Sequence, residues 1–236
     1  MLTVTGLVKH YEVGEEPVRA VDGVSLCIEA GQMVALYGPS GSGKSTLIDL
    51  IAGFRKPDAG TVVVDGRDVH ALSDREYADY LRLTIGIIGQ PEDLMPSSSA
   101  RENACLKLLR ENPKDAPRRI EPLLLALGLG DRLDQPVRKL SMGERQRVMV
   151  AQALSTDPKL VLADEPTGSL DTRRSAEVLA LIKDVCQERK AAVLLVTHDP
   201  QAAGYADVAY ELRDGHLHDY QAEVVHVPAV VGRSAR

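Results

Sequence analysis

Residues 38–45 read GPSGSGKS, and no other feature restricts the fold of this chain as strongly. The octet matches GxxxxGK[ST]. The apolar run VALY precedes it, and STLIDLIAG follows, with apolar residues spaced by three and four. A strand, a glycine-rich turn and a helix in that order form a loop that wraps phosphate. The glycines let backbone N–H groups turn inward onto phosphate oxygens, and the helix N-terminus adds positive potential. Gly38, Pro39, Ser40, Gly41, Ser42 and Gly43 supply the turn. Lys44 can reach the β- and γ-phosphates of a nucleotide, and Ser45 can place its hydroxyl on Mg²⁺. The plainer alternative, a glycine-rich turn with a chance lysine, does not require this strand and helix context.

The rest of the chain supplies a sheet for such a loop. Short β-branched runs at 33–37, 61–64, 85–88, 160–163 and 192–197 are bounded by Gly, Pro or Asp. Helical patterns at 45–52, 142–154 and 176–188 lie between several of them, which predicts an α/β fold with a mostly parallel sheet. The runs at 3–9, 24–29, 33–37 and 61–64 follow closely on one another, with DAG and DG turn signals, and predict an added antiparallel β layer on the N-terminal side. From about 91 to 140 strand signals vanish. Segments 100–110 and 118–126 read as helices separated by Pro and Gly, which predicts an inserted helical subdomain. The expected organisation is one domain over 1–236. Residues 1–90 and 155–220 form the catalytic core, 91–154 the helical subdomain and 221–236 a peripheral tail.

Composition narrows the partners. Hydrophobic residues at 44% and charged residues at 26% fit an ordinary globular chain. With seven Tyr, one Phe and no Trp, its core must be aliphatic. Twenty-eight basic against 34 acidic residues give a net charge of -6, which argues against a nucleic-acid backbone as partner. Cys27, Cys105 and Cys186 form no CxxC pair, so neither a disulfide framework nor a structural zinc site is expected. No apolar run approaches the ~18 residues of a membrane span. The N-terminus lacks a basic-then-apolar signal pattern. The expectation is a cytoplasmic chain whose membrane contact runs through a partner, without insertion of its own.

Two further motifs carry chemistry. LVLADEP at 160–166 ends a buried strand in two carboxylates. Asp164 would hold Mg²⁺, and Glu165 would orient or deprotonate the water attacking the γ-phosphorus. A solvated strand edge also ends in acids, so this motif gains its meaning from the phosphate-binding loop. LSMGERQR at 140–147 places Ser and Gly before a helix, an arrangement that can bind an anion. Ser141 as N-cap with Glu144 three residues on is also a capping box, and on local grounds capping is the preferred reading.

Taken together, GPSGSGKS, LSMGERQR, LVLADEP, SLD at 169–171 and THD at 197–199 resemble, in order and spacing, the nucleotide-binding domains of ABC transporters. The resemblance spans about residues 2–217. It implies a RecA-like P-loop NTPase core that hydrolyses ATP with Mg²⁺. It also implies a second copy of the chain paired head to tail, with ATP between the P-loop of one copy and the signature segment of the other. Ser141 and Gly143 would then contact the γ-phosphate held by the opposite copy. Gln90 matches the glutamine that touches Mg²⁺ and the attacking water. His198 matches the switch histidine on the γ-phosphate, Asp171 the aspartate crossing the interface, and Tyr11 the aromatic that stacks on adenine. Ser42 and Thr46 join the phosphate cradle. Transmembrane permease subunits would dock at about 91–103, where Leu94 and Met95 are apolar, holding the chain at the cytoplasmic face of the membrane.

The chain departs from the family pattern at Met142, where the signature usually has glycine, and at Gln152, where arginine is usual. Met142 is acceptable if the position has ordinary backbone angles. ADEPTGSLD and EVGEEPVRAVDGVSL look most like the ATPases of lipoprotein-release, macrolide-export and cell-division complexes. A regulatory ATPase gating a cell-envelope complex and an importer of the amino-acid type remain alternatives. A soluble ABC ATPase on ribosomes or DNA would carry two cassettes or a long coiled coil, and a nucleotide kinase would not need the signature segment.

Overall fold

The computed structural model describes residues 1–13, 16–168 and 170–221. Ser169 and the tail beyond Gln221 therefore lie outside the described residues, as does the expectation that the tail is peripheral. Among the described residues the strands form two sheets. The first joins β1 (Leu2–Val13), β2 (Glu16–Ile28), β4 (Ala59–Val64) and β5 (Arg67–Asp68) in the order β2-β1-β4-β5, all antiparallel. The second has the order β10-β9-β3-β8-β7-β6. Its members are β3 (Met33–Tyr37), β6 (Ile85–Ile88), β7 (Leu160–Asp164), β8 (Ala192–Thr197), β9 (Val208–Arg213) and β10 (His216–Asp219). Every pairing in it is parallel except the β9–β10 hairpin.

One expectation is corrected here. Run 33–37 belongs to the parallel sheet and not to the antiparallel layer. Its first four residues are buried, and alternate side chains enter different cores. Val34 and Leu36 pack with α1 (Lys44–Ala52) and the antiparallel sheet, whereas Met33 faces the other side. The neighbouring strands divide in the same way. Leu160, Leu162, Leu194 and Val196 join α1, while Val161, Ala163, Val193 and Leu195 join the helices opposite. A period of two with both faces apolar is the pattern of a doubly covered strand, which only the parallel sheet provides.

Residues 91–154 contain helices and isolated turns. Apart from the single bridge Ser99–Pro136, no strand pairing occurs there among the described residues. The helices are α3 (Ala100–Ala104), α4 (Ala116–Ala126) and α5 (Met142–Leu154). Segment 100–110 is not one helix. After Cys105 it tightens into a 3₁₀ stretch over Leu106–Arg110, so that Leu108 enters the core. Lys107 then reaches back to donate to the carbonyls of Leu81 (3.2 Å) and Ile85 (2.9 Å), and burial draws its pKa down to about 8. The end of α5 meets β6 without an intervening side chain. A Cβ on Gly86 would lie 2.5 Å from the Ala153 carbonyl oxygen. The remaining helices are α2 (Asp74–Asp79), α6 (Thr172–Arg189) and α7 (Pro200–Ala203).

Candidate active site

The parallel register brings the chemistry to one edge. Tyr37 at the end of β3 pairs with Thr197 at the end of β8, and Asp164 at the end of β7 pairs with Val196. The loop after β3, His198 after β8 and the Asp164–Glu165 pair therefore emerge beside one another at the carboxyl ends of the strands, the general location of ligand sites in open α/β sheets. A cleft of about 400 Å³ opens there. Its lining includes Tyr11, Ser40, Gly41, Gly43, Lys44, Ser45, Thr46, Asp164 and Glu165.

The loop conformation depends on its glycines. Gly43 caps α1 at φ 101°, and a Cβ there would overlap the Ala20 carbonyl oxygen and lie 2.9 Å from the carbonyl carbon. A Cβ on Gly38 would lie 2.5 Å from the Leu212 carbonyl oxygen and 2.9 Å from the Ser42 hydroxyl. That hydroxyl is buried and makes no hydrogen bond to the protein, so it is free to donate to an oxyanion held in the loop. Lys44 is 7% exposed, and its Nζ donates to the Gly38 and Pro39 carbonyls, both at 2.7 Å. Desolvation lowers its pKa, and the charges of Glu165 and Asp164 oppose that shift. The lysine is therefore folded onto its own loop, at bond lengths that phosphate oxygens can replace.

The two carboxylates have different environments. Burial, and then the charge of Glu165, raises the Asp164 carboxyl above its usual range. A hard cation would relieve that penalty, and Asp164 shares the cleft with the Ser45 hydroxyl; such oxygen donors suit Mg²⁺. Glu165 has φ 47°, a left-handed value that costs a non-glycine residue of order 1 kcal/mol or more. Its amide donates to Val196 O at 2.9 Å, and its side chain meets His198 Nδ1 at 2.7 Å and the Thr197 hydroxyl at 3.3 Å. Thr197, 1% exposed, opens the THD segment, which assigned it no role of its own; the structure makes it a partner of Glu165.

Other expected residues stand apart from this cleft. Gln90 is exposed beyond the end of β6 and is not among the lining residues. Ser141 and Gly143 sit at the start of α5 in the helical segment, also outside the cleft lining. The capping box forms: the Glu144 amide donates to Ser141 Oγ at 3.3 Å, and the Ser141 amide donates to the Glu144 carboxylate at 2.8 Å. The Ser141 hydroxyl accepts in this arrangement and keeps its own proton to donate. Met142 takes the first helical position after Ser141, so the substituted glycine position carries ordinary helical geometry. Asp171 caps α6 by accepting from the Arg174 amide at 3.0 Å. Leu94 is 3% exposed and belongs to the core of the helical segment, whereas Met95 is 40% exposed. The apolar pair in 91–103 therefore does not act as a unit: burial removes Leu94 from any docking surface.

Tyr11 carries contacts that no motif announced. Lys9 Nζ lies 5.7 Å and the Arg55 guanidinium 5.8 Å from its ring centroid. Lys9 shares the face of β1 with Tyr11 by strand periodicity. Arg55 comes from the loop after α1, where nothing in the sequence marks it.

A family model described as "ABC transporter" matches residues 21–168. The chain is 41% identical over 219 residues to the lipoprotein-releasing system ATP-binding protein LolD of Alcanivorax borkumensis, covering 92% of this chain and 96% of that one. It is also 41% identical over 223 residues to the macrolide export ATP-binding/permease protein MacB of Rhodopirellula baltica, covering 91% of this chain but 32% of that larger protein. Among solved structures, the dimeric bacterial ABC transporter cassette MJ0796 superposes with a TM-score of 0.83 at 32% identity, over 94% of this chain and 98% of that one. A post-hydrolysis state of the same cassette, bound to ADP and phosphate, matches equally well.

Proposed function

The chain belongs to the ABC transporter family as an ATP-hydrolysing cassette, and on that premise we propose that two copies close head to tail on ATP and drive membrane permease subunits. The observation that carries this reading is a division of labour. Lys44, Ser45, Asp164 and Glu165 line one cleft, with His198 against Glu165, while Ser141 and Gly143 lie outside it. A second copy offering its α5 N-terminus would complete the cleft.

In this reading the triphosphate enters the loop, Lys44 exchanges the Gly38 and Pro39 carbonyls for phosphate oxygens, and the loop amides with Ser42 and Thr46 hold the rest. Mg²⁺ would be held by Ser45, Asp164 and Gln90, and when bound it supplies charge neutralisation on the phosphates. Glu165 orients the attacking water and takes its proton. The His198 contact fixes the carboxylate, and the second ring nitrogen is left for the γ-phosphate. Tyr11 stacks on adenine. Ser141 and Gly143 of the other copy donate to the γ-phosphate, and Asp171 crosses the interface. Hydrolysis removes the group that joins the halves, so the dimer opens. The relatives that release lipoproteins or export macrolides support a role in export or in transmitting motion across the membrane. They also support a position at its cytoplasmic face, with exposed residues of 91–103 such as Met95 meeting the permease. Among the described residues no helix is long and apolar enough to cross a membrane.

The test uses Glu165→Gln, which keeps the shape of the side chain and removes its proton acceptor. With MgATP this variant should accumulate as a dimer by mass action, and Glu165→Gln with Ser141→Arg should remain a monomer that still binds ATP. Sedimentation at about 100 μM detects an interface worth about -5.5 kcal/mol. If both variants show the same oligomeric state at that concentration, the head-to-tail reading fails and α5 is only a capped helix.

A further inference from the structure

The residues around Tyr11 form a frame that the family motifs do not include. Lys9 Nζ bonds Asp58 Oδ1 at 2.7 Å, and the other Asp58 oxygen accepts the His10 amide at 2.8 Å. Arg55 Nε bonds Asp49 Oδ2 at 2.7 Å. Each cation is thus tied to its own aspartate, and each lies within 6 Å of the Tyr11 centroid, the range in which a cation is attracted to an aromatic ring. Asp49 belongs to α1, whose N-terminus carries the phosphate loop, and Tyr11 belongs to β1. The Arg55 and Phe54 amides also bond the Asp49 carbonyl, at 3.2 and 2.8 Å, so the guanidinium is fixed to that helix through backbone as well as side chain.

We propose that Lys9 and Arg55 are positioning residues for nucleotide binding: held by Asp58 and Asp49, they fix the Tyr11 ring as a platform for the purine and set its place relative to the phosphate loop. The inference rests on the reading of Tyr11 as the base-stacking residue and extends it to four residues outside the motifs. Charge supports platform-setting over attraction of the triphosphate. Each cation is paired with a carboxylate at 2.7 Å, so the two pairs are close to neutral at a distance and act on what touches them, which is the ring. Stacking on a held ring also costs less conformational entropy on binding than stacking on a mobile one.

The experiment is calorimetric titration of the Glu165→Gln, Ser141→Arg chain, in which turnover and dimer closure are both prevented, with ATP and separately with inorganic tripolyphosphate, which reads the loop without a base. Arg55→Met should weaken ATP binding about two- to fivefold, the size of an exposed cation–aromatic contact. Tripolyphosphate binding should be unchanged. Arg55→Lys, which keeps the cation, should recover part of the loss. In the hydrolysing chain, Arg55→Met should raise KM by the same factor and leave kcat at saturation unaltered. Equal losses for ATP and tripolyphosphate would mean that Arg55 acts on the phosphates and would overturn the proposal. Unchanged ATP affinity in both Arg55→Met and Lys9→Met, with Tyr11→Ala still weakened, would also overturn it while leaving the stacking reading intact. If Tyr11→Ala itself binds ATP normally, the stacking reading falls and the frame falls with it.

Discussion

Two alanine substitutions in the phosphate loop separate backbone strain from steric collision. Gly41 and Gly43 both have positive φ, 83° and 101°. Either alanine pays for a left-handed conformation, about 1–2 kcal/mol. Their surroundings differ. A Cβ on Gly41 meets nothing within 4 Å, whereas one on Gly43 overlaps the Ala20 carbonyl oxygen and lies 2.9 Å from its carbon. Ordinary carbon–carbon contact is about 3.5–4.0 Å, and the obstacle is backbone of β2, which cannot swing aside as a side chain could. Overpacking of this kind adds about 1–3 kcal/mol, and the upper end applies here. Gly41→Ala should therefore cost about 1–2 kcal/mol and Gly43→Ala about 4–5. At a urea m-value of about 2–3 kcal/mol/M, the midpoints fall by about 0.5 M and 1.5 M or more. Urea denaturation followed by far-UV circular dichroism measures both. Equal shifts, or a Gly43→Ala midpoint at the wild-type value, would refute the reasoning.

Lys44→Ala should weaken MgATP binding about 10- to 100-fold, as expected for losing charge-assisted bonds to phosphate, and abolish turnover; turnover within twofold of wild type would sink the assignment. Asp164→Asn probes a raised carboxyl. A group whose folded pKa lies above its unfolded value stabilises the fold below the unfolded value, about 3.9, and loses that contribution as pH rises through the folded one. The ionised Asp164 is therefore a burden at neutral pH. Asp164→Asn should raise the urea midpoint at pH 7.5, with the gain fading towards pH 4, while turnover is lost. Leu94→Glu should destabilise by several kcal/mol, because it places a charge at a buried site, whereas Met95→Glu should leave the melting temperature unchanged within about 1 °C.

What the sequence revealed follows from how local each signal is. GPSGSGKS, LVLADEP and the capping box at Ser141 are contiguous, and each encodes its own geometry, so loop, strand end and helix start are where the residues place them. Run 33–37 was ambiguous because an apolar strand suits either sheet, and only its neighbours β8 and β9 decide. Leu94 and Met95 look alike in sequence, but tertiary packing buries one and exposes the other. The helical spacing of 100–110 gave no hint of the break at Cys105, because the Lys107 contacts come from residues more than twenty positions away. The Tyr11 frame was invisible for the same reason: Lys9 bonds Asp58 across the sheet, and Arg55, tied locally to Asp49 of α1, meets the Tyr11 ring only because the fold brings β1 beside that loop.

The close approach of Gly86 to Ala153 would let the C-terminal end of α5 serve as a fulcrum, so that a tilt of the helix is largest at Ser141. Ser141 lies 12 positions along the chain from Ala153, which is about 18 Å of helix. In the proposed head-to-tail dimer, a tilt of about 10° at that point would carry the Ser141 hydroxyl about 3 Å, enough to make or lose a bond to a phosphate oxygen. The gearing depends on the absence of a side chain at residue 86. A methyl group there would wedge the two backbones apart at the fulcrum and shift the far end before any ligand arrived.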